Sequence, residues 1–313
     1  MSTPADGRYI GIDLGGTKVE GVVLDAQLAP VARRRVPTER ERGYEHILAR
    51  VTALVGELQR QAPGCDRVGI GTPGSLSTRT RLLKNSNTTC LNGRPLLADL
   101  TDRLGMPVVL ENDANCFALA EASCGAGRGH RLVFGVILGT GVGGGLVWDG
   151  EVWRGPQHLA GEWGHHCLDP DGPACYCGQR GCAETYLSGP AVEGAYVAAG
   201  GSRCSAAQIA VRAAADEPIA VGVLQGYYAR FGRALANVID ILDPDVVVLG
   251  GGLSHIADLY SRGREAVAAR VFNDELGTPI VANALGASAG VIGAALLTVP
   301  PGNARDPAAD RPA

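Results

Sequence analysis

Apolar residues recur near period two in YIGIDLGGTKVEGVVLD, residues 9–25, break at Gly15-Gly16-Thr17, and then resume. Such alternation predicts two strands joined by a glycine turn. The plan returns in LVFGVILGTGVGGGLVWDG, residues 132–150, where Gly139 to Gly145 interrupt two apolar runs and Trp148-Asp149-Gly150 closes them. Two halves of similar design are therefore expected. Between them, residues 44–59 carry helix spacing, DRVGIGTPG reads as a strand entering a loop, and PVVLENDANCFALAEA as a strand turning sharply into a helix. Further on, residues 190–197, 205–215, 219–242 and 288–297 read as helices, and DVVVLGGG as a strand ending in glycines. Strands alternating with helices predict an α/β protein.

At 313 residues the chain suits two medium domains with a cleft between them. A net charge of -4 offers no basic footprint for displacing counterions from nucleic acid. No apolar run reaches the ~18 residues a membrane span requires, and the N-terminal residues lack a signal pattern, so a cytoplasmic protein is expected. Cysteines number nine, an odd count. Cys65, Cys90, Cys116, Cys124 and Cys204 lack paired spacing and read as small buried hydrophobes.

A glycine turn brings backbone N–H groups close to an anion, and successive N–H groups form a concave nest for phosphate oxygens. One such turn is weak, because a hairpin alone accounts for it. Neither turn is a Walker A loop, and neither is followed by the helix of a dinucleotide fingerprint. The set carries more weight: Asp13 precedes Gly15, Gly16, Thr17 and Lys18; Gly139, Thr140 and Gly141 form the second turn; and Gly251 and Gly252 follow a strand. Two hairpins facing each other could hold a polyphosphate from both sides, with Asp13 placed to hold its Mg²⁺ through water.

Phosphoryl transfer to a hydroxyl also needs a proton acceptor. Glu111, Asn112 and Asp113 follow a strand at its carboxyl end, where α/β ligands bind. The competing role for Asp113 is a helix cap or first-turn carboxylate.

In GEWGHHCLDPDGPACYCGQRGCAE, residues 161–184, Cys175, Cys177 and Cys182 form C-x-C-x4-C, with His165 ten residues before the first cysteine. Three thiolates and one imidazole suit tetrahedral zinc. A redox pair would be C-x-x-C, a disulfide would strand one cysteine, and a zinc ribbon would need two C-x2-C pairs. Spacing alone leaves His166 and Cys167 open as ligands. Glu162 and Glu184, taken singly, read as solvated loop charges.

DLGGTK, ENDANC, GTGVGGG, GEWGH followed by CYCGQRGC, and DPDVVVLGGG, in this order, resemble the ROK family of sugar kinases and repressors over roughly residues 9–297. The resemblance implies an actin/hexokinase-like duplicated fold with an interdomain cleft, ATP and Mg²⁺, and phosphorylation of a hexose hydroxyl. It divides the chain into an N-terminal domain, 1–114, closed by a C-terminal helix at about 288–300, and a larger domain, 115–287, with a zinc-binding loop at 161–184; the polar, Pro-rich residues 301–313 read from composition as a disordered tail. It makes Asp113 the catalytic base, and Gly74, Asn87, Asn112, Glu162, His165 and Glu184 sugar contacts. Structural zinc falls to His165, Cys175, Cys177 and Cys182, and Glu111 stays structural. A homodimer is also implied.

Repressors of the family carry a helix-turn-helix domain, yet the first hairpin begins within ten residues of Met1, so a sugar-sensing binding protein is disfavoured. GTPGSLS and LLKNSNTTCLNGRPL are similar to segments of the family's fructokinases (mannofructokinases). The expected reaction is D-fructose to fructose 6-phosphate, with mannose also accepted. N-acetylglucosamine kinase or glucokinase is the alternative.

Overall fold

The computed structural model describes residues 7–300, and the expected tail at 301–313 lies outside them. Contacts divide the described residues into two units, 7–129 with 150–160 and 285–300, and 130–149 with 161–284. The expected second domain, 115–287, includes residues 115–129 and 150–160, which group with the first unit here. Residues 113–124 pack against the C-terminal helix of the first unit, which keeps them there.

In the first unit, β1 (Tyr9–Leu14), β2 (Lys18–Leu24) and β3 (Pro30–Pro37) form an antiparallel meander, with Asp13 opposite Glu20 and Val19 opposite Val36. β1 and β2 are buried along almost their whole length, whereas β3 at the sheet edge is largely exposed and carries three successive arginines. Charged edge strands resist pairing with another chain. Helix α1 (Tyr44–Gln61) buries Ile47, Val51, Leu54 and Leu58 at three- and four-residue spacing. Then come β4 (Val68–Thr72), the small ribbon of β5 (Ser75–Leu76) and β6 (Leu83–Lys84), helix α2 (Leu96–Leu104) and β7 (Val108–Asn112). The sheet order is β3-β2-β1-β4-β7, with β1, β4 and β7 parallel. Register aligns Asp13 with Gly71 and Gly71 with Glu111, so the carboxyl ends of three strands bring Asp13, Thr72 and Asn112 to one end of the sheet. Helix α3 (Asp113–Cys124) starts there and is buried along residues 114–121, a run that is apolar except for Asn115 and Glu121.

The second unit repeats the plan. β8 (Leu132–Leu138) and β9 (Val142–Trp148) form an antiparallel hairpin with Leu138 opposite Val142. After β10 (Glu151–Val152), in a segment of the first unit, follow α4 (Glu184–Leu187), α5 (Gly189–Ala198), α6 (Ala206–Ala214), α7 (Pro218–Leu242), β11 (Val246–Gly250), α8 (Arg262–Ala268) and β12 (Ile280–Ala282). β11 lies parallel to both β8 and β12, giving the order β9-β8-β11-β12. Helix α9 (Ala289–Leu296) then returns to the first unit and covers β1 and β4. A Cβ on Gly69 would overlap the Ala294 carbonyl, so the glycine in β4 lets this helix rest directly on the sheet.

The predicted helices and both glycine hairpins are present within one or two residues. Among the described residues, no helix is long and apolar enough to cross a membrane.

Candidate active site

The first glycine turn is tied to the residues behind it. Gly15 N–H donates to the Lys18 carbonyl at 3.0 Å, the Gly15 carbonyl accepts from Thr38 Oγ1 at 2.7 Å, and Thr38 N–H donates to the Thr17 carbonyl at 3.0 Å. Gly16 and Thr17 form the accessible tip. Burial raises Asp13 from its ordinary 3.8 to about 6; Lys18 and Arg35 act against the rise and Glu20 adds to it. Lys18 Nζ lies 3.2 Å from Glu20, a buried carboxylate that also pairs with Arg33 and Arg35. Burial works against ionisation of Glu20, yet hydrogen bonds from Arg33, Lys18 and Arg35 hold it below the usual carboxylate range.

At the end of β7, Asn112 caps α3, with Oδ1 accepting from Ala114 N–H at 2.9 Å and Asn115 N–H at 3.4 Å. Of the two competing roles for Asp113, the cap belongs to its neighbour, while the first-turn carboxylate is the place Asp113 occupies. Asp113 is the first helical residue, its Oδ1 accepting from Ala114 N–H at 2.9 Å. Asn112 Nδ2 donates to the Gly74 carbonyl at 3.1 Å, which joins two of the predicted sugar contacts and leaves one amide hydrogen. Glu111 is structural, as expected: Oε1 accepts from Asn112 N–H and Asn115 Nδ2, each at 2.9 Å, and Oε2 pairs with Arg154. Arg154 carries no sequence signal, being one arginine in a loop forty residues away. Asn87 is exposed in the loop after β6. Asn92 pins that loop, its Oδ1 accepting from Ser86 N–H and its Nδ2 donating to the Ser86 carbonyl, both at 2.8 Å.

The second turn lies in the other unit. Gly139 N–H donates to the Gly141 carbonyl at 2.9 Å, and the Gly139 carbonyl accepts from Gly189 N–H at 2.7 Å, with Thr140 exposed at the tip. Residues 161–184 fold against this hairpin. Trp163 Nε1 donates to the Gly143 carbonyl at 2.9 Å, and Glu184 Oε2 accepts from Val142 N–H at 2.9 Å. Glu184 is therefore held, while Glu162 is exposed just before the short 3-10 turn of residues 163–165.

The ligand atoms of His165, Cys175, Cys177 and Cys182 lie within 4.8 Å of one another. His165 Nδ1 is 3.6 Å from Cys175 Sγ, and Cys177 Sγ is 3.6 Å from Cys182 Sγ. A tetrahedron with zinc bonds of about 2.0 to 2.3 Å has edges of about 3.3 to 3.8 Å. Donor set and spacing thus fit one zinc ion. His166 and Cys167 stand outside the group: His166 Nδ1 faces the Trp163 carbonyl, and Cys167 bridges Cys182 through its backbone. The second nitrogen of His165, Nε2, lies 3.1 Å from Tyr176 Oη. Tyr176 is exposed, and as a phenol that ordinarily ionises near 10 it is a neutral hydroxyl at pH 7. As the variable position of C-x-C, Tyr176 gave no signal in the sequence.

Beyond β11, Gly252 lines a cavity of 630 Å³ together with Val211, Leu224, Tyr228, Ile256 and Arg262. Gly251 lies beside it, its carbonyl accepting from Ser254 Oγ at 2.7 Å. The apolar walls from α6 and α7 escaped sequence reading because an apolar helix face reads as core. A cavity of this size accommodates a nucleoside.

A duplicated α/β fold with a glycine hairpin in each half is that of the hexokinase-like kinases, and this protein is an ATP-dependent sugar kinase. Residues 9–300 match the ROK family, to which the chain belongs. It is similar to the N-acetyl-D-glucosamine kinase of Photobacterium profundum, 38% identical over 302 residues that cover 93% of this chain and 99% of that protein. It is also similar to the N-acetylgalactosamine kinase AgaK of Shewanella sp. (strain ANA-3), 35% identical with 92% and 96% covered. The crystal structure of the ROK hexokinase from Thermus thermophilus is alike at a TM-score of 0.83 and 34% identity, covering 93% of this chain and 97% of that one.

These relatives do not support fructose as the substrate; both kinases are named for N-acetylhexosamines. The residues behind the fructose expectation have a local purpose. Asn92 of the LNG run holds the loop containing Asn85 and Asn87, so that segment records the shape of a turn.

Proposed function

We propose that this chain transfers the γ-phosphate of Mg·ATP to the 6-hydroxyl of N-acetyl-D-glucosamine. The observation that carries the choice of sugar is the 38% identity with a kinase named for that substrate, extending over 93% of this chain. Asp113 receives the hydroxyl proton as the sugar oxygen attacks phosphorus, and Asn112, fixed by its cap and by Gly74, orients the hydroxyl through its remaining N–H. Negative charge on the phosphates is met by backbone N–H groups of the turns at Gly15-Gly16-Thr17 and Gly139-Thr140-Gly141. Asp13 binds the ion that accompanies ATP through water, and the cavity beside Gly252 takes the base.

Glu162, His165 and Glu184 hydrogen-bond the hexosamine hydroxyls. His165, Cys175, Cys177 and Cys182 would hold a zinc ion, which would fix the orientation of the imidazole. His165 Nε2 then carries the proton, and Tyr176 Oη is its partner until a sugar hydroxyl takes that place. A pre-oriented group lowers the entropy cost of binding.

The test is kcat/KM with ATP for N-acetylglucosamine, N-acetylgalactosamine, glucose and fructose. N-acetylglucosamine is expected first, because a site that hydrogen-bonds an acetamido group leaves buried polar groups unpaired with a sugar that lacks one. Glucose or fructose ranking first overturns the choice of sugar class, and N-acetylgalactosamine ranking first overturns the choice of epimer.

A further inference from the structure

The nucleotide hairpin is clamped by residues on either side of the cysteine–histidine cluster. Trp163, two residues before His165, donates to the Gly143 carbonyl at 2.9 Å. Glu184, two residues after Cys182, accepts from Val142 N–H at 2.9 Å, and Gly189 donates to the Gly139 carbonyl at 2.7 Å. The fit around Glu184 is tight: a Cβ on Gly141 would stand 2.6 Å from Glu184 Oε2. Both legs of the turn are thus fastened to the segment that leaves the last cysteine.

We propose that Glu184 is a positioning residue for this hairpin, its Oε2 setting the turn at 139–141 for the phosphates while its other oxygen serves the sugar. The inference rests on the phosphate role given above to that turn. A hydrogen bond from a backbone N–H to a carboxylate is stronger than a neutral one and directional. Holding Val142 N–H fixes the first residue of β9, and with it the direction of the turn's remaining N–H groups. The cluster that anchors Cys182 consequently acts on nucleotide affinity through one side chain.

Two variants separate this role from sugar contact. In Glu184→Gln the amide oxygen can still accept from Val142 N–H, whereas Glu184→Ala removes the acceptor. The readout is the Kd of a non-hydrolysable ATP analogue with Mg²⁺ and no sugar, measured by calorimetry alongside the zinc content of each variant. Glu184→Ala is expected to weaken analogue binding about tenfold, and Glu184→Gln by no more than about twofold, with zinc content equal to wild type. Equal affinity for the analogue in wild type and Glu184→Ala overturns the proposal, as does equal weakening in both variants. Should Glu184→Ala fail to fold, Glu184→Asp gives the same reading, because its carboxylate is withdrawn from Val142 N–H by one methylene while the charge and the turn's own residues are kept; unchanged analogue affinity there also overturns the proposal. The KM for N-acetylglucosamine is measured in the same variants. If it is unaltered while analogue affinity separates the two, the hairpin role is supported and Glu184 leaves the set of sugar contacts.

Discussion

The Arg154 guanidinium pairs with one oxygen of the buried Glu111 carboxylate, whose other oxygen accepts from the N–H of Asn112, the residue before Asp113. The pair therefore controls the backbone at the point where β7 becomes α3. Arg154→Ala leaves a buried carboxylate short of a partner, and the loss is about 2 kcal/mol because Arg154 itself is partly exposed. Thermal unfolding should fall by a few degrees, and kcat about tenfold or more, with the KM for ATP nearly unchanged. Arg154→Lys should recover part of kcat. Unchanged kcat in a variant of lowered melting temperature would confine the pair to scaffolding.

Replacing Asp113 with Asn keeps a first-turn side chain of the same size, so folding and nucleotide binding should persist. Turnover should drop by roughly 10²- to 10⁴-fold through loss of the proton acceptor. Steady-state kinetics with the ATP analogue as a binding control checks this. Turnover near that of wild type would remove Asp113 from the reaction.

Asp13 predicts a pH dependence with a definite sign. Burial raises its pKa from 3.8 to about 6, so between these values the folded chain holds a proton that the unfolded chain has released. Stability contributed by this group falls as pH rises through that window, by up to about 3 kcal/mol. Asp13→Asn should flatten the slope of melting temperature between pH 4 and 6 and raise melting at pH 7. ATP binding in wild type should run the other way and weaken below about pH 6, as the ion-binding carboxylate is protonated. The two opposed trends, read by thermal melts and calorimetry, both vanish in Asp13→Asn.

Metal analysis should find one zinc per chain. Stripping it with a chelator should lower the melting temperature and raise the KM for the hexosamine, and zinc should restore both. A folded, fully active chain with much less than one zinc would dismiss a required ion.

Legibility in the sequence followed the range of each interaction. The glycine hairpins, the entry to α3 and the cysteine cluster were readable because backbone geometry and ligand spacing are local. Even there, neighbouring residues divided the parts: the cap at the start of α3 is Asn112, and Asp113 is its first-turn carboxylate. Arg154 and Glu111 lie forty-three residues apart, and the cavity beside Gly252 is walled by helices separated from it in sequence. No period or motif announces such meetings. Substrate choice was the least legible, because the asparagine-rich loop after β6 serves its own folding.

The placement of α9 on β1 and β4 sets an order of events during synthesis. The first strands emerge at the start of translation, but the helix that covers one face of them is encoded at residues 289–296. At ordinary ribosome speeds the sheet of the first unit waits about 10 to 35 s for its cover after β7 is made. Throughout that interval Gly11 and Gly69 present a bare apolar face, while the second unit can fold. Nascent chains stalled before residue 289 should therefore be the ones that chaperones hold, and a short C-terminal truncation into α9 should cost the N-terminal sheet its stability.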